Sequence, residues 1–244
     1  MTGCGRGRQE GNDVTTGFTA ELWDEEVAGS YRSVLAHPFI TGLTDGSLPE
    51  QAFSYYVVQD VLFLNRYAQA LAILAGRAPD PASAAMFTRH AAGVADELEL
   101  HDGLLRDLGI DPAAAAAAEP APVTLAYTSY LLATVHGGSY AEGVGAVLPC
   151  YWIYQQVGTH LTGRGSPSPR YQRWIEAYAG DDYGADVRAV LAEADRLGAD
   201  LPAAERALVR RHVRVTSRYE WMFWDAAYHQ QGWPGSDGGQ SQAG

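Results

Sequence analysis

The sequence predicts an all-α protein whose helices pack into a single-domain bundle of about eight or more helices. Apolar residues recur at intervals of three and four through most of the 244-residue chain, which is the period of a helix that buries one face. No segment has a clear strand pattern. The connections are short and marked by Pro and Gly, so we expect one domain rather than two joined by a linker.

The helices follow in order from these patterns. The first is predicted from Phe18 to Leu35, and a second, long helix runs from Phe53 to about Leu74, with His37-Pro38-Phe39 as a break between them. Further helices are predicted over residues 82–108, 123–134, 141–161, 171–178, 186–197 and 202–228. The pattern leaves open whether residues 141–161 form one kinked helix or two.

Outside the helical domain of residues 16–231, the two ends of the chain have a different composition. Residues 1–15 are Gly-rich and polar, and residues 232–244 are rich in Gly, Ser and Gln. Such segments cannot bury enough apolar surface to offset the entropy of ordering, so both are expected to be disordered tails. Residues 111–122 are an Ala- and Pro-rich linker inside the domain.

Composition excludes several classes of function. A formal net charge of −12 and a pI near 4.9 argue against a nucleic-acid-binding protein, because phosphate binding needs clustered Lys and Arg. We find no run of about 18 apolar residues and no secretory signal, so we expect no membrane association. Two cysteines, Cys4 and Cys150, cannot build a disulfide framework and suit a cytoplasmic protein.

Cys150 is the first candidate for chemistry. It lies in Leu148-Pro149-Cys150-Tyr151-Trp152-Ile153-Tyr154, where Pro149 is expected to open a helix with the thiol in its first turn. The positive end of a helix lowers the pKa of a thiol and so favours the nucleophilic thiolate. The alternative is a buried, inert cysteine. The seven histidines show no spacing that pairs one with Cys150.

Two carboxylates interrupt otherwise apolar helix faces. Asp60 must be hydrogen-bonded or functional, because burying an unpaired charge is costly. Glu220 lies among aromatic residues, where poor solvation would raise its pKa toward the range useful for proton transfer; a solvent-facing Glu is the alternative. Glu97 and His101 are four residues apart, which fits a charge-assisted contact better than a metal pair, because no further ligands with matching spacing are evident.

Several of these segments together resemble the TenA family, also called thiaminase II, over essentially residues 18–228. The resemblance rests on His37-Pro38-Phe39, Asp45-Gly46-Ser47-Leu48-Pro49, Phe53, Gln59-Asp60, Leu148-Pro149-Cys150, Trp152, Tyr154, Tyr171-x-x-Trp174-Ile175-x-x-Tyr178 and Glu220-x-x-Phe223-Trp224. It implies a fold like that of haem oxygenase, a homotetramer, and neither metal nor other cofactor.

The resemblance also implies a reaction. Family members with this cysteine hydrolyse 4-amino-5-aminomethyl-2-methylpyrimidine to the 5-hydroxymethyl compound and ammonia, a step of thiamine salvage, and can cleave thiamine more slowly. By position, Cys150 would be the nucleophile and Glu220 the acid–base group, while Asp60 would hold the amino group and nitrogen of the ring. Pocket tyrosines would be Tyr127, Tyr154 and Tyr178.

Other functions remain open from the sequence. A TenA-like protein could act on a related heteroaromatic substrate, and a metal-dependent oxygenase on the same fold could use Glu97 and His101 as ligands. A non-catalytic regulator is a further alternative. Direct DNA binding by such a regulator is opposed by the acidic charge and the absence of a basic recognition helix.

The chain departs from the family pattern at Phe63, where the usual residue is Tyr. Phe63 lies three residues after Asp60 on the same helix, so both are expected to face the pocket. Glu220 would then have one fewer hydrogen-bond donor and a higher pKa. We expect weaker activity on the usual aminopyrimidine or a pocket adapted to a less polar substrate, unless a water or a nearby tyrosine replaces the missing hydroxyl.

Overall fold

The computed structural model describes residues 17–235, and every regular element in that range is a helix, which confirms the all-α prediction. Residues 1–15 and 236–244, most of the two predicted tails, lie outside the described range. In chain order the helices are α1 (Phe18–Leu22), a π-helical turn (Trp23–Val27), α2 (Ala28–Leu35), α3 (Pro38–Asp45), α4 (Glu50–Arg77), α5 (Pro81–Asp107), α6 (Pro112–Ala116), α7 (Pro122–Gly137), α8 (Tyr140–Thr162), α9 (Pro169–Ala179), α10 (Asp181–Asp200) and α11 (Ala203–His229).

Local capping explains where several helices begin. His37 precedes α3 and accepts a hydrogen bond from the Phe39 N–H through Nδ1, so the predicted break is in fact a helix start. Asp80 accepts from the Ser83 N–H at the start of α5. Ser139 and Glu142 satisfy each other's backbone N–H groups at the start of α8.

Helix α8 corrects the expectation for Cys150. It continues through Pro149, so Cys150 lies in the helix interior rather than in a first turn, and the positive helix end cannot lower the pKa of its thiol. Pro149 has no N–H to donate to the Gly145 carbonyl, and interior prolines cost about 3 kcal/mol or more. Burial of α8 on nearly all sides offsets this cost, because residues 143–154 are all buried.

The core forms where α8 packs against α4, α7, α9, α10 and α11, while α5 covers α4. At Gly158 the backbone of α9 comes so close that an added Cβ would lie 2.7 Å from the carbonyl carbon of Tyr178. This glycine therefore sets the short separation of α8 and α9 and with it the position of the Tyr178 side chain. Among residues 17–235, no helix combines the length and the apolarity needed to cross a bilayer.

Candidate active site

A cavity of about 430 Å³ opens between α4, α5, α8, α9 and α10. Cys150 of α8 and Asp60 of α4 both line it, as do side chains of α5 and α9. The described lining residues are Asp60, Phe63, Leu64, Tyr67, Leu71, His90, Gly93, Val94, Asp96, Glu97, Leu100, Cys150, Tyr151, Tyr154, Ala177, Tyr178, Asp182, Tyr183 and Asp186. This volume is sufficient for a small heterocyclic ligand.

Asp60 is held by two donors at the base of the cavity. Its Oδ2 accepts from the Tyr56 hydroxyl at 3.0 Å and lies 2.8 Å from His101 Nε2. His101 Nδ1 lies 2.8 Å from the backbone carbonyl of Glu97, which can only accept, so that nitrogen carries a proton. Burial disfavours the imidazolium, but Asp60 and Glu97 outweigh burial and raise the pKa of His101 to about 9. Asp60 therefore faces a charged, buried histidine.

Tyrosines extend this network along the cavity. The Tyr178 hydroxyl donates to the Glu97 carboxylate at 2.5 Å, and the Tyr56 hydroxyl lies 3.3 Å from that of Tyr154. The rings of Tyr154 and Tyr178 are 4.8 Å apart and tilted by 51°. Their faces and hydroxyls give the cavity the mixed aromatic and polar surface that a flat heterocycle requires.

The Cys150 thiol is buried in acidic surroundings. Burial raises the pKa of Cys150 well above its usual range, and the negative charges of Glu220, Glu97 and Asp60 raise it further. A hydrogen bond with Tyr67 acts in the opposite direction. The resting thiol is thus protonated at neutral pH, contrary to the expectation of a helix-activated thiolate, and it needs a proton acceptor before it can attack.

Glu220 is buried on α11 and accepts a hydrogen bond from Tyr127 of α7 at 2.5 Å. Burial raises the pKa of Glu220 to about 8; the Tyr127 hydrogen bond lowers it and the charge of Asp60 raises it. The pKa of Glu220 is therefore raised, as its aromatic neighbours in the sequence predict. Glu220 is protonated in most molecules at pH 7 and can donate a proton.

Phe63 lies between two tyrosines whose hydroxyls are already used. Its ring stacks on Tyr67 at 5.5 Å and packs against Tyr127 at 4.9 Å. Tyr127 supplies a donor to Glu220, so the carboxyl has a tyrosine partner although Phe63 has no hydroxyl.

The structure brings five of the seven predicted site residues to one cavity: Asp60, Phe63, Cys150, Tyr154 and Tyr178. Tyr127 and Glu220 form their own pair and are not among the described lining residues, but Glu220 lies close enough to Cys150 for its charge to raise the pKa of the thiol.

Sequence reasoning missed several residues that bond at the site. Tyr56 lies one helical turn before Asp60 and could have been found from that spacing. His101 was noticed only beside Glu97, because its partner Asp60 is 41 residues away. The Glu97 carboxylate bonds to Tyr178, whereas His101 bonds to Asp60 and to the backbone carbonyl of Glu97. No group of three or more His, Cys, Asp or Glu side chains in residues 17–235 could hold a metal ion.

The protein has a helical fold similar to the haem-oxygenase-like fold. Its cavity has the size of a small molecule and is lined in part by a buried cysteine. A domain with a heme oxygenase-like fold from Shewanella denitrificans superposes with a TM-score of 0.69 at 16% identity, over 87% of this chain and 92% of that one, which shows the shared fold. A TenA homologue from P. horikoshii superposes with a TM-score of 0.81 at 27% identity, over 88% of this chain and 99% of that one.

Sequence comparison identifies the family. The model of the TENA/THI-4/PQQC family matches residues 25–230. The aminopyrimidine aminohydrolase of Bacillus subtilis is 34% identical over 218 residues, which cover 89% of this chain and 89% of that protein. The chain belongs to the TENA/THI-4/PQQC family, as the sequence resemblance predicted.

The raised pKa of Glu220 predicts a pH dependence of stability. A folded-state pKa of about 8 against an ordinary value of 4.5 means that the folded protein holds this proton more tightly than the unfolded chain. The free energy of unfolding should therefore fall as the pH rises from about 4.5 to about 8. In Glu220→Gln this part of the fall should be absent, as measured by urea unfolding at pH 5 to 8.

Glu205→Gln is the control, because Glu205 is exposed on the same helix. Deprotonation of His101, whose pKa is raised to about 9, also lowers the free energy of unfolding as the pH rises. This contribution is the same in both proteins and cancels when they are compared. If wild type and Glu220→Gln lose the same free energy of unfolding between pH 5 and 8, the raised pKa is wrong.

Proposed function

We propose that this protein hydrolyses 4-amino-5-aminomethyl-2-methylpyrimidine to the 5-hydroxymethyl compound and ammonia in thiamine salvage, with Cys150 as the nucleophile. Slower cleavage of thiamine is part of the same proposal. The observation that carries it is the cavity that both Cys150 and Asp60 line, with Asp60 Oδ2 held 2.8 Å from His101 Nε2. The 34% identity with the aminopyrimidine aminohydrolase of Bacillus subtilis supports the choice of substrate.

The charge of the cavity also supports an amine substrate. Asp60, Asp96, Glu97, Asp182 and Asp186 line it, and none of its described lining residues is Lys or Arg. An aminomethyl group is protonated at neutral pH, so a negative cavity attracts it. Its hydroxymethyl product is neutral and leaves this environment more easily.

Asp60 is suited to hold the amidine edge of the ring. Both of its hydrogen bonds within the described residues end on Oδ2, from Tyr56 and His101. Oδ1 is then available to accept a hydrogen bond from the amino group of the substrate. The aromatic rings of Tyr154 and Tyr178 supply contact area for the flat heterocycle.

In the proposed reaction the Cys150 thiol loses its proton to the solvent, and the thiolate adds to a carbon of the pyrimidine ring; the thiol regains a proton from the solvent after the thiolate has left. The displaced electron pair goes to a ring nitrogen, which takes a proton from Glu220. Electron flow back from the ring expels ammonia from the protonated aminomethyl group and leaves an exocyclic methylene. Water adds to this methylene and returns a proton to Glu220. The thiolate then leaves as the aromatic ring is restored, and the ring nitrogen gives its proton to the solvent, where the released ammonia takes it up. The balance is one water consumed and one ammonium ion released.

The proposal includes a homotetramer, which the family resemblance implies. It also includes a cytoplasmic location, which the two cysteines of the chain suit. Leu125, Leu208 and Met222 are apolar side chains that are 40–44% exposed in the single chain and are available for subunit contacts. Light scattering on the purified protein tests this part, since a mass near that of one 26.3 kDa chain would contradict it.

The proposed chemistry predicts distinct effects of two substitutions. Cys150→Ala should abolish ammonia release from the aminomethylpyrimidine, because no other described lining residue of the cavity is a cysteine. Glu220→Gln should lower kcat by about 10²–10⁴, the usual contribution of a general acid–base group. Both are measured with a coupled ammonia assay. Cys4→Ala, the other cysteine of the chain, is the matched control and should keep wild-type turnover; Cys150→Ala turning over at the wild-type rate would exclude the covalent mechanism.

A further inference from the structure

The hydroxyl of Tyr56 is the centre of a buried hydrogen-bond network behind the wall of the cavity. Tyr56 is fully buried, and its hydroxyl oxygen lies 3.0 Å from Asp60 Oδ2, 3.2 Å from Trp174 Nε1 and 3.3 Å from the Tyr154 hydroxyl. Asp60 and Tyr154 line the cavity, whereas Tyr56 and Trp174 are not among its described lining residues. Tyr56 therefore holds two lining residues from behind.

The chemistry of these three partners fixes the direction of each hydrogen bond. The indole Nε1–H of Trp174 can only donate, so the Tyr56 oxygen accepts from it. Tyr56 has one proton to give, and Asp60 Oδ2 is nearer than the Tyr154 oxygen and, as a carboxyl oxygen, is the stronger acceptor. Tyr56 thus donates to Asp60, and it can bond to Tyr154 only by accepting the Tyr154 proton on its second lone pair.

This direction decides what Tyr154 offers to a ligand. Within the described residues, the Tyr56 oxygen is the one hydrogen-bond partner of the Tyr154 hydroxyl. With its proton given to Tyr56, Tyr154 presents lone pairs to the cavity and no proton, as Asp60 Oδ1 does. Both residues line the cavity and bond to the same hydroxyl, so a flat ring that contacts Asp60 also contacts Tyr154 along the same edge.

The rest of the wall supplies few donors in place of Tyr154. None of the described lining residues is Lys, Arg, Ser, Thr, Asn or Gln. Two further lining tyrosines give their protons to the protein: Tyr67 donates to the Val147 carbonyl at 3.0 Å, and Tyr178 donates to the Glu97 carboxylate at 2.5 Å. Ligand atoms that carry protons therefore find acceptors in this cavity, whereas ligand atoms with lone pairs find few donors.

We propose that Tyr56 is a positioning residue that makes Tyr154 a hydrogen-bond acceptor and thereby selects a 4-aminopyrimidine over the corresponding 4-oxopyrimidine. The inference deepens the proposed function and rests on its substrate, with Asp60 facing the amino edge of the ring. Tyr56 does not touch the ligand. It acts by holding the proton of Tyr154 away from the cavity.

The two kinds of ring differ at this edge in their donors and acceptors. An exocyclic amino group has two protons, one for Asp60 Oδ1 and one for the Tyr154 oxygen. A 4-oxo ring has a proton on the neighbouring ring nitrogen, which can still donate to Asp60, but its exocyclic oxygen then faces the lone pairs of Tyr154. A buried acceptor without a donor is unfavourable, so the direction of the Tyr154 proton determines which ring binds.

The test measures the affinities of two ligands for the full-length protein by isothermal titration calorimetry. The ligands are 4-amino-5-hydroxymethyl-2-methylpyrimidine and its 4-oxo analogue. Wild type should bind the amino ligand at least about 100-fold more tightly, because a site built to hydrogen-bond one group rejects an analogue that lacks it. In Tyr56→Phe the Tyr154 hydroxyl loses its acceptor and can donate to the exocyclic oxygen. We expect Tyr56→Phe to bind the 4-oxo ligand about tenfold more tightly than wild type does, and the amino ligand more weakly.

Further variants separate the direction of this proton from damage to the site. In the double variant Tyr56→Phe, Tyr154→Phe the gain for the 4-oxo ligand should disappear, because the hydroxyl that donates is gone. Tyr171→Phe is the matched control and should keep the wild-type preference, since it removes another buried hydroxyl, bonded to the Leu48 carbonyl at 3.0 Å, outside the described wall. A disturbed fold would weaken the binding of both ligands, whereas redirection of the Tyr154 proton strengthens the binding of one.

Several results would overturn the inference. They are a wild-type preference below about 100-fold, no binding of either ligand, a folded Tyr56→Phe whose affinity for the 4-oxo ligand does not rise, and a gain that persists in the double variant. If Tyr56→Phe does not fold, Tyr154→Phe alone replaces it. Its preference for the amino ligand should fall at least about tenfold, because Tyr154 no longer accepts from the amino group or opposes the 4-oxo oxygen, and an unchanged preference overturns the inference.

Ammonia release by the wild type is assayed separately from ligand binding. Turnover of the aminomethylpyrimidine without the preference for the amino ligand would contradict the part assigned to Tyr56 and leave the proposed function intact. The preference without ammonia release would contradict the proposed function and leave the part assigned to Tyr56 intact.

Discussion

The buried contact between Asp60 and His101 is the interaction on which the site depends. Both side chains are almost fully buried, and removing one partner of such a pair costs about 3–5 kcal/mol because the other charge stays behind uncompensated. His101 has acceptors at both ring nitrogens, so it holds two protons and fixes the Asp60 carboxyl group at the wall of the cavity. An acceptor oxygen at a fixed place is what the proposed recognition of an aminopyrimidine edge requires.

The acidic residues around the cavity create a difficulty for the proposed nucleophile. Asp60, Glu97 and Glu220 all raise the pKa of the Cys150 thiol, and burial raises it more. The acidic surroundings that would attract a cationic amine therefore disfavour the thiolate of the proposed reaction. Glu220, whose pKa is raised to about 8, can donate a proton at neutral pH but cannot at the same time accept the proton of the thiol.

Much of the fold could be predicted because helix period and capping are local properties. The long helices were found from apolar spacing, whereas α3 and α6 were missed because short helices carry too few residues for a period. The predicted position of Cys150, in the first turn of a helix, was wrong for a physical reason. Proline usually marks a helix start, but at Pro149 the packing of α8 on all sides outweighs the lost hydrogen bond.

The candidate site could be predicted only in part. Asp60 and Glu220 could be identified in the sequence as acidic residues among apolar neighbours. The family resemblance then supplied their proposed roles in substrate binding and acid–base chemistry. Partners from distant helices could not be read from spacing: His101 reaches Asp60 from α5, and Asp186 reaches His90 from α10. These contacts exist only after α4, α5, α8 and α10 have packed together.

The central claim is that the sulfur of Cys150 becomes covalently bound to the pyrimidine during turnover. The most direct measurement is a mass spectrum of enzyme mixed with one equivalent of the aminomethylpyrimidine and quenched in acid within one turnover, followed by peptide mapping. We predict a transient pyrimidinylmethylene adduct on the Cys150 peptide of the wild type that forms more slowly in Glu220→Gln, because the ring nitrogen has lost its proton donor. Ammonia released in a full single turnover while the Cys150 peptide stays unmodified at every time point in both proteins would contradict the account.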